Sequence, residues 1–250
     1  ITIGAPFAIH WGAALFKQFN KRKSPNLWVS DCGDPFMGNP LVSYPFYFKY
    51  VEKWWGRNTD FITIPIEEAR NAYYKEIHNK IRIIPQGFEL NLNGESQYVE
   101  NKIPTFCFSG VVYDRHRDPT AFLEYLVKQN FEFKFIVYTK TKHLFEKYKA
   151  SLGDKLIIRD YIPREELLCE LKKMDFLINI SNSSSVQSPS KLIDYTICGR
   201  PILEVSSAFL EEDNFNSFIN RDYENQLIIQ DIQQYNIENV ANQFLKLYHE

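Results

Sequence analysis

The sequence predicts an α/β fold with parallel β-sheets, in two parts. Short apolar segments alternate along most of the chain with helical patterns of about 8 to 12 residues, which is typical of βαβ units. This alternation stops between residues 89 and 102, where the sequence is polar and rich in asparagine. The break predicts a boundary between an N-terminal and a C-terminal part.

The N-terminal part contains four segments that we predict to be strands, at 1–4, 27–31, 61–64 and 82–84. Helical patterns lie between them, at about 10–19, 44–57 and 66–78. The pattern at 44–57 carries seven aromatic residues. Most of these aromatic residues recur at helical spacing, so we interpret them as core residues.

The C-terminal part alternates more regularly. Five predicted strands lie at 105–108, 133–138, 156–159, 176–180 and 201–205. Helical patterns lie at 119–128, 143–150, 164–173, 191–198, 208–220 and 237–248. This order predicts a doubly wound parallel sheet between residues 88 and 235.

The composition excludes some classes of function. The 250 residues are 44% hydrophobic with a net charge of −2, which indicates a globular protein and argues against general nucleic-acid binding. No apolar run is long enough to cross a membrane, and no signal peptide is visible. The four cysteines lie far apart in sequence, which is typical of reduced thiols in a cytosolic protein.

The stretch from Ser181 to Pro201 is the strongest candidate for a binding site. It follows an apolar strand, is rich in serine, and continues into a short helix that ends near a glycine. A helix that starts at the end of a parallel strand offers unpaired N–H groups to an anion. Ser188, Ser190 and Lys191 add donors, and Asp194 suits the hydroxyls of a ribose. The alternative interpretation is an ordinary serine-rich helix cap.

Two further loops follow strands of the same predicted sheet. Gly110 ends one strand, and the loop after it carries Arg115 and Arg117, whose guanidinium groups suit phosphate oxygens. The segment 160–163 follows another strand and contains Tyr161 and Ile162. Since the ends of parallel strands meet at one edge of a sheet, these loops are expected to face one crevice. A solvated basic turn is the alternative for the arginines.

Other candidates lie in the N-terminal part. His10 follows the first strand, where a single histidine is more often structural than catalytic. Asp31 and Asp34 flank a turn and could act in acid–base chemistry or stabilise the turn. A basic cluster at residues 17–23 could contact an anionic membrane surface or form a solvated helix end. No cluster has metal-ligand spacing, and neither a nucleophile elbow nor a Walker loop is present.

Taken together, these residues resemble a known enzyme family. The resemblance is carried by Gly110 to Pro119, Tyr161-Ile162-Pro163 with Glu165, Asp175, Ser188-Pro189-Ser190-Lys191-Leu192-Ile193-Asp194-Tyr195 and Gly199-Arg200-Pro201. The chain is similar to nucleotide-sugar glycosyltransferases of the GT-B type, in particular the retaining family 4 branch with the motif P-S-K-x-x-E-Y. Segments 31–35, 59–63 and 85–88 resemble the first lobe of that family.

The resemblance implies two Rossmann-type lobes. Residues 1–87 would be a partial N-terminal, acceptor-side lobe, residues 88–235 a complete nucleotide-sugar-binding lobe, and residues 236–250 a helix that packs back toward the first lobe. Complete members are considerably longer, so we expect the chain to be N-terminally truncated, and a truncated form could lack activity.

The resemblance also implies roles for individual residues. His10, Arg117 and Lys191 would be catalytic; the donor-binding set would be Gly110, Arg115, Arg117, Tyr161, Ile162, Ser188, Ser190, Lys191, Leu192 and Asp194. Three positions depart from the family pattern. Asp194 replaces a glutamate, and Val186 stands where a second acid is expected. One extra residue lies between Gly110 and Pro119, so either Arg115 or Arg117 could match the family's basic residue on the donor diphosphate.

The resemblance implies transfer of a hexose from an NDP-sugar, with retention, to a glycan or lipid-linked acceptor in polysaccharide biosynthesis. No metal or cofactor is expected. The expected location is the cytoplasm, with peripheral contact at the inner membrane face through the first lobe. Two alternatives stay open: a GT-B-fold sugar-nucleotide epimerase, and a non-catalytic lobe that binds nucleotide sugar or a partner in a glycan-assembly complex.

Overall fold

The computed structural model of the protein describes residues 1–40, 42–90, 98–112, 117–181 and 190–250. These residues form two compact α/β units. The first unit consists of Ile1–Leu90 and Gln233–Glu250, and the second consists of the described residues within Asn91–Ser183 and Pro189–Ile232. In both units every named strand pairs in parallel with its neighbours.

The first unit contains a four-stranded sheet with the strands in sequence order. Its strands are β1 (Thr2–Ile3), β2 (Val29–Asp31), β3 (Phe61–Ile64) and β4 (Ile81–Ile83). Its α-helices are α1 (Ala8–Phe19), α2 (Phe48–Asn58) and α9 (Ile237–Lys246). Single turns of 3-10 helix at Lys21–Lys23 and Leu247–His249 follow α1 and α9.

Helices cover both faces of this sheet. On one face, α1 and α2 bury a cluster that includes Trp28, Trp55 and Ile62. On the other face, α9 buries Val240 against a smaller cluster with Val29 and Ile84. The approach of α9 is close because residue 87 is a glycine: a Cβ atom there would lie 2.4 Å from Cδ1 of Ile237.

The second unit contains a five-stranded sheet in the order β7-β6-β5-β8-β9. Its strands are β5 (Thr105–Ser109), β6 (Lys134–Tyr138), β7 (Leu156–Arg159), β8 (Phe176–Ile180) and β9 (Ile202–Val205). Its helices are α3 (Thr120–Val127), α4 (His143–Glu146), α5 (Lys149–Leu152), α6 (Arg164–Leu171), α7 (Ser190–Ile197) and α8 (Glu212–Ile219).

Apolar clusters on both faces make the second sheet doubly wound. An aromatic cluster around Phe106, Phe122 and Phe215 lies on one face, and a cluster around Leu168 and Tyr195 lies on the other. A parallel sheet buried on both faces explains why its strands are almost continuously apolar. The prediction of an α/β fold with parallel sheets is confirmed.

All nine predicted strands are present, but two predicted helices are not continuous. The pattern at 66–78 forms two 3-10 helices, Glu67–Ala72 and Lys75–Lys80, because Tyr73 and Tyr74 between them have extended backbones. The Tyr73 ring is buried in the core at this break. The pattern at 143–150 forms α4 and α5, with Lys147 and Tyr148 between them.

Candidate functional site

The carboxyl ends of β5 and β8 are the natural place for a ligand in the second unit. These two strands are neighbours, and the strand order reverses between them. Their ladder pairs Cys107 with Leu177 and goes no further, whereas β6 stays paired with β5 to Ser109. Open α/β sheets bind ligands in the crevice at such a reversal point.

Two basic side chains lie at this edge. Arg117 precedes α3, and Lys191 is the second residue of α7. The Lys191 Nζ atom lies 3.5 Å from the carbonyl oxygen of Ile180 and 4.7 Å from the centre of the Phe108 ring. Burial lowers the pKa of Lys191 well below its usual value, and the positive charge of Arg117 lowers it further. The two predicted phosphate-binding side chains therefore interact electrostatically.

Gly110 brings the backbone of β5 next to Lys191. Its φ of +137° lies in a region that favours glycine. A Cβ atom at this position would lie 3.8 Å from Cδ of Lys191. The amide of Gly110 donates to the carbonyl oxygen of Tyr138, which fixes the end of β5 to β6. Backbone and lysine stem thus lie side by side at the crevice.

Tyr195 fastens α7 to the same strand end. The Ser109 amide donates to the Tyr195 hydroxyl at 2.8 Å, and the Ser109 Oγ atom lies 3.2 Å from it. The Tyr195 hydroxyl also donates to the carbonyl oxygen of Ser109 at 3.3 Å. Tyr195 belongs to the motif that carries the family resemblance, but the sequence did not reveal this contact.

Asp194, predicted to bind ribose, forms an ion pair. The Nε and Nη2 atoms of Arg164 lie 2.8 and 2.7 Å from its Oδ1 atom. Arg164 is the first residue of α6 and was not among the predicted site residues. A basic residue directly after Pro163, in a segment already predicted to line the crevice, was the available signal. The guanidinium group would orient the Asp194 carboxylate toward a ligand.

The segment between β7 and α6 carries the other predicted donor contacts. Tyr161 is 60% exposed, and the Lys140 Nζ atom lies 4.8 Å from its ring centre. Ile162 packs against the cluster around Leu168. Ile162 also lines a cleft of about 660 Å³ that includes Arg159 and Glu170. A flat, exposed tyrosine ring beside a cleft offers a surface for an aromatic base.

Of the remaining predicted donor-binding residues, two lie outside the described part of the chain, one is exposed and one is buried. Arg115 and Ser188 lie outside the described residues, so their roles stay predictions. Ser190 is exposed at the first position of α7. Leu192 is buried and packs in the core, so it can contribute to a ligand site only through its backbone N–H group.

His10 lies in the interior of the first unit. Its Nδ1 atom is 2.8 Å from the Thr2 hydroxyl, its Nε2 atom is 3.6 Å from Sγ of Cys32, and the centre of its ring lies 4.9 Å from that of the Trp55 ring. Burial lowers the pKa of His10 to about 4, so the ring is neutral at physiological pH. This environment favours a structural role, and the catalytic role of His10 stays a prediction.

Two features are absent from the described residues. Within residues 1–40, 42–90, 98–112, 117–181 and 190–250, no group of three or more His, Cys, Asp or Glu side chains is arranged to hold a metal ion. In the same part of the chain, no helix has the length and hydrophobicity needed to span a membrane. All four cysteines are free, and Cys169 alone of them is exposed.

Solved structures resemble this chain over nearly its whole length. HepE of Anabaena, solved with UDP and glucose, is 9% identical, with a TM-score of 0.65 over 97% of this chain and 76% of HepE. The lipopolysaccharide outer core galactosyltransferase WaaB is 13% identical, with a TM-score of 0.59 over 96% of this chain and 81% of WaaB. The chain has a GT-B-like fold.

The GT-B-like fold confirms the prediction of two Rossmann-like lobes. The solved structures that resemble this chain also include an enzyme that is not a glycosyltransferase. The UDP-GlcNAc 2-epimerase of Neisseria meningitidis, solved with UDP-GlcNAc, is 11% identical, with a TM-score of 0.53 over 97% of this chain and 73% of the epimerase. No protein-family model and no curated protein matches the sequence. At these identities the comparisons establish the fold and leave the activity to be inferred from the site.

Proposed function

We propose that the second unit binds a nucleoside diphosphate sugar and that the protein is a glycosyltransferase. The observation that carries this proposal is the convergence of Arg117, Lys191 and Gly110 at the reversal point of a doubly wound sheet. Two basic side chains beside a glycine backbone suit a diphosphate better than a neutral ligand. The start of α7 adds backbone N–H groups and a favourable helix dipole.

The proposed reaction places negative charge on the leaving diphosphate. In glycosyl transfer the bond between the anomeric carbon and the diphosphate oxygen breaks, and the electron pair stays on the diphosphate. The anomeric carbon then bonds to an acceptor hydroxyl oxygen, whose proton is released. Arg117 and Lys191 would stabilise the negative charge that develops on the leaving diphosphate. Such electrostatic stabilisation needs no metal ion, in line with the cofactor-free enzyme expected from the sequence.

The finer features of the reaction belong to the same proposal. We propose a hexose donor, membership of the retaining family 4 branch, and a glycan or lipid-linked glycan acceptor in polysaccharide biosynthesis. The motif from Ser190 to Tyr195 and the following Gly199-Arg200-Pro201 support the branch. The similarity to HepE, solved with UDP and glucose, supports a uridine diphosphate hexose as the first donor to test.

Surface features of the first unit support membrane contact as a further part of the proposal. Ile9, Phe16 and Phe19 are exposed on α1. The basic turn Lys21–Lys23 at the end of α1 is exposed and would contact anionic lipid at the inner face of a membrane. Lys17, also in the predicted basic cluster, is instead paired with Asp60.

An epimerase is the second candidate, because a UDP-sugar epimerase shares the GT-B-like fold. One assay separates the candidates. UDP-hexoses are incubated with the protein, with and without a mixture of glycan acceptors, and the sugar products are analysed. Sugar transfer that depends on acceptor supports a glycosyltransferase, and an altered donor sugar without acceptor supports an epimerase. Binding of UDP without turnover of any donor supports the non-catalytic lobe.

A further inference from the structure

We propose that Tyr195 is a positioning residue for the donor diphosphate, because its hydroxyl holds the backbone of Ser109 and Gly110 where the phosphates bind. This assignment rests on the proposed function. It concerns a residue whose side chain is buried behind the site and reaches the ligand only through the strand end.

The sheet leaves a gap that Tyr195 fills. The ladder between β5 and β8 ends at Cys107, two residues before the end of β5. Past this point a buried backbone amide needs another partner, since an unpaired one would be costly. The partner of the Ser109 amide is the Tyr195 hydroxyl, which accepts a hydrogen bond from this amide and donates one to the Ser109 carbonyl oxygen. One side chain thus replaces the missing strand contact.

The same helix carries the phosphate-binding lysine. Lys191 and Tyr195 are four residues apart, so they lie on one face of α7. Lys191 packs along Phe108 and Gly110, and Tyr195 bonds to Ser109 between them. Removal of the hydroxyl would therefore loosen three consecutive residues of β5 relative to the lysine. A diphosphate, which needs both, would lose affinity, whereas a nucleoside would not.

A matched control lies in the same unit. Tyr125 is also a largely buried tyrosine, and its hydroxyl donates to Oδ1 of Asn216 at 2.8 Å. Its partner belongs to α8, away from the carboxyl ends of β5 and β8. Tyr125→Phe thus removes a hydrogen bond of the same length without touching the strand end. It reports what loss of a buried hydroxyl does to ligand binding in general.

The test is calorimetric titration of wild type, Tyr195→Phe and Tyr125→Phe with UDP and with uridine, and of wild type also with GDP. We expect the Kd for UDP to rise about tenfold in Tyr195→Phe, which corresponds to loss of about one hydrogen bond. Uridine should bind Tyr195→Phe as it binds wild type, and Tyr125→Phe should match wild type for both ligands. If Tyr195→Phe does not fold, amide hydrogen exchange of the wild type takes its place: the Ser109 amide, which donates to the Tyr195 hydroxyl, should be protected before UDP binds.

Three results overturn the assignment. Unchanged UDP affinity in a folded Tyr195→Phe protein, or an unprotected Ser109 amide in the wild type, shows that the hydroxyl does not position the site. Equal weakening of UDP and uridine binding shows a general structural effect. A wild-type protein that binds neither UDP nor GDP overturns the proposed function together with the role of Tyr195. Binding by wild type with no effect of the variant overturns the role of Tyr195 alone.

Discussion

The hydroxyl of Tyr195 lies 2.8 Å from the backbone nitrogen of Ser109. It accepts the hydrogen bond of this amide because the pairing of β5 with β8 ends two residues earlier, at Cys107. This contact joins the helix that carries Lys191 to the strand that carries Gly110. Burial raises the pKa of Tyr195, so the hydroxyl stays protonated and can both accept and donate. The candidate site is therefore built on two regular elements that are bonded to each other.

Lys191 should take up a proton when a diphosphate binds. Burial and the charge of Arg117 lower the pKa of Lys191 in the free protein, and two phosphates would favour its charged form again. Calorimetry of UDP binding between about pH 7 and 9, in two buffers of different ionisation enthalpy, measures the protons taken up. We expect wild type to take up more protons than Lys191→Met.

The comparison with Lys191→Met removes the contribution of protons bound by UDP itself. A second control, Lys140→Met, deletes an amine that lies over Tyr161 at the edge of the site. This variant should take up as many protons as wild type. Equal proton uptake by wild type and Lys191→Met would show that Lys191 does not meet the phosphates.

Asp194 and Arg164 should act as a pair in ligand binding. The Arg164 guanidinium holds the Asp194 carboxylate in place. Arg164→Gln should therefore weaken uridine binding, but by less than Asp194→Asn does. The double variant should then bind uridine no more weakly than Asp194→Asn alone, since the two effects are not additive. Titration of the four proteins with uridine checks this cycle; additive losses would mean that Arg164 acts independently of Asp194.

Glu52 should make the first unit less stable as pH rises. Its side chain is fully buried in the first unit. Burial raises its pKa from 4.5 to about 7, against a smaller opposing effect of the Met37 backbone. The folded state therefore binds the proton more tightly, and this stabilisation is complete below about pH 4.5 and lost as pH rises through about 7.

The variant Glu52→Gln isolates this effect. At about pH 5 it should be nearly as stable as wild type, and at about pH 8 it should be more stable by up to about 3 kcal/mol. Denaturant unfolding at several pH values measures the difference. The lowered pKa of His10, which destabilises the fold as pH falls below 6.5, is common to both proteins and cancels. Parallel stability curves for the two proteins would exclude Glu52 as the titrating group.

Much of the fold was readable from the sequence because its signals are local. Apolar strands that alternate with helical periods predicted all nine strands. The order of residues around Gly110, Arg117 and Lys191 predicted that three strand ends would share one crevice. The two 3-10 helices were missed because the Tyr73 ring turns into the core, which depends on neighbours far away in sequence.

The contacts of the site residues could not be predicted from the sequence, because they join residues that are far apart along the chain. Arg164 and Asp194 are thirty residues apart, and Ser109 and Tyr195 are eighty-six apart. The second contact depends on where the ladder between β5 and β8 ends, which no local pattern encodes. The family resemblance made His10 a candidate for catalysis, but its partners Thr2, Cys32 and Trp55 become visible only in the folded unit.

Calorimetric titration of wild type and Arg117→Ala with UDP and uridine tests most directly whether the second unit is a nucleotide-sugar site. Arg221→Ala, which removes an arginine paired with Glu100, serves as the control. We expect Arg117→Ala to weaken UDP binding by about 1–3 kcal/mol, the loss of a charge-assisted hydrogen bond, and to leave uridine binding unchanged. Equal weakening of both ligands, or UDP binding as tight as in Arg221→Ala, would contradict a diphosphate site at Arg117.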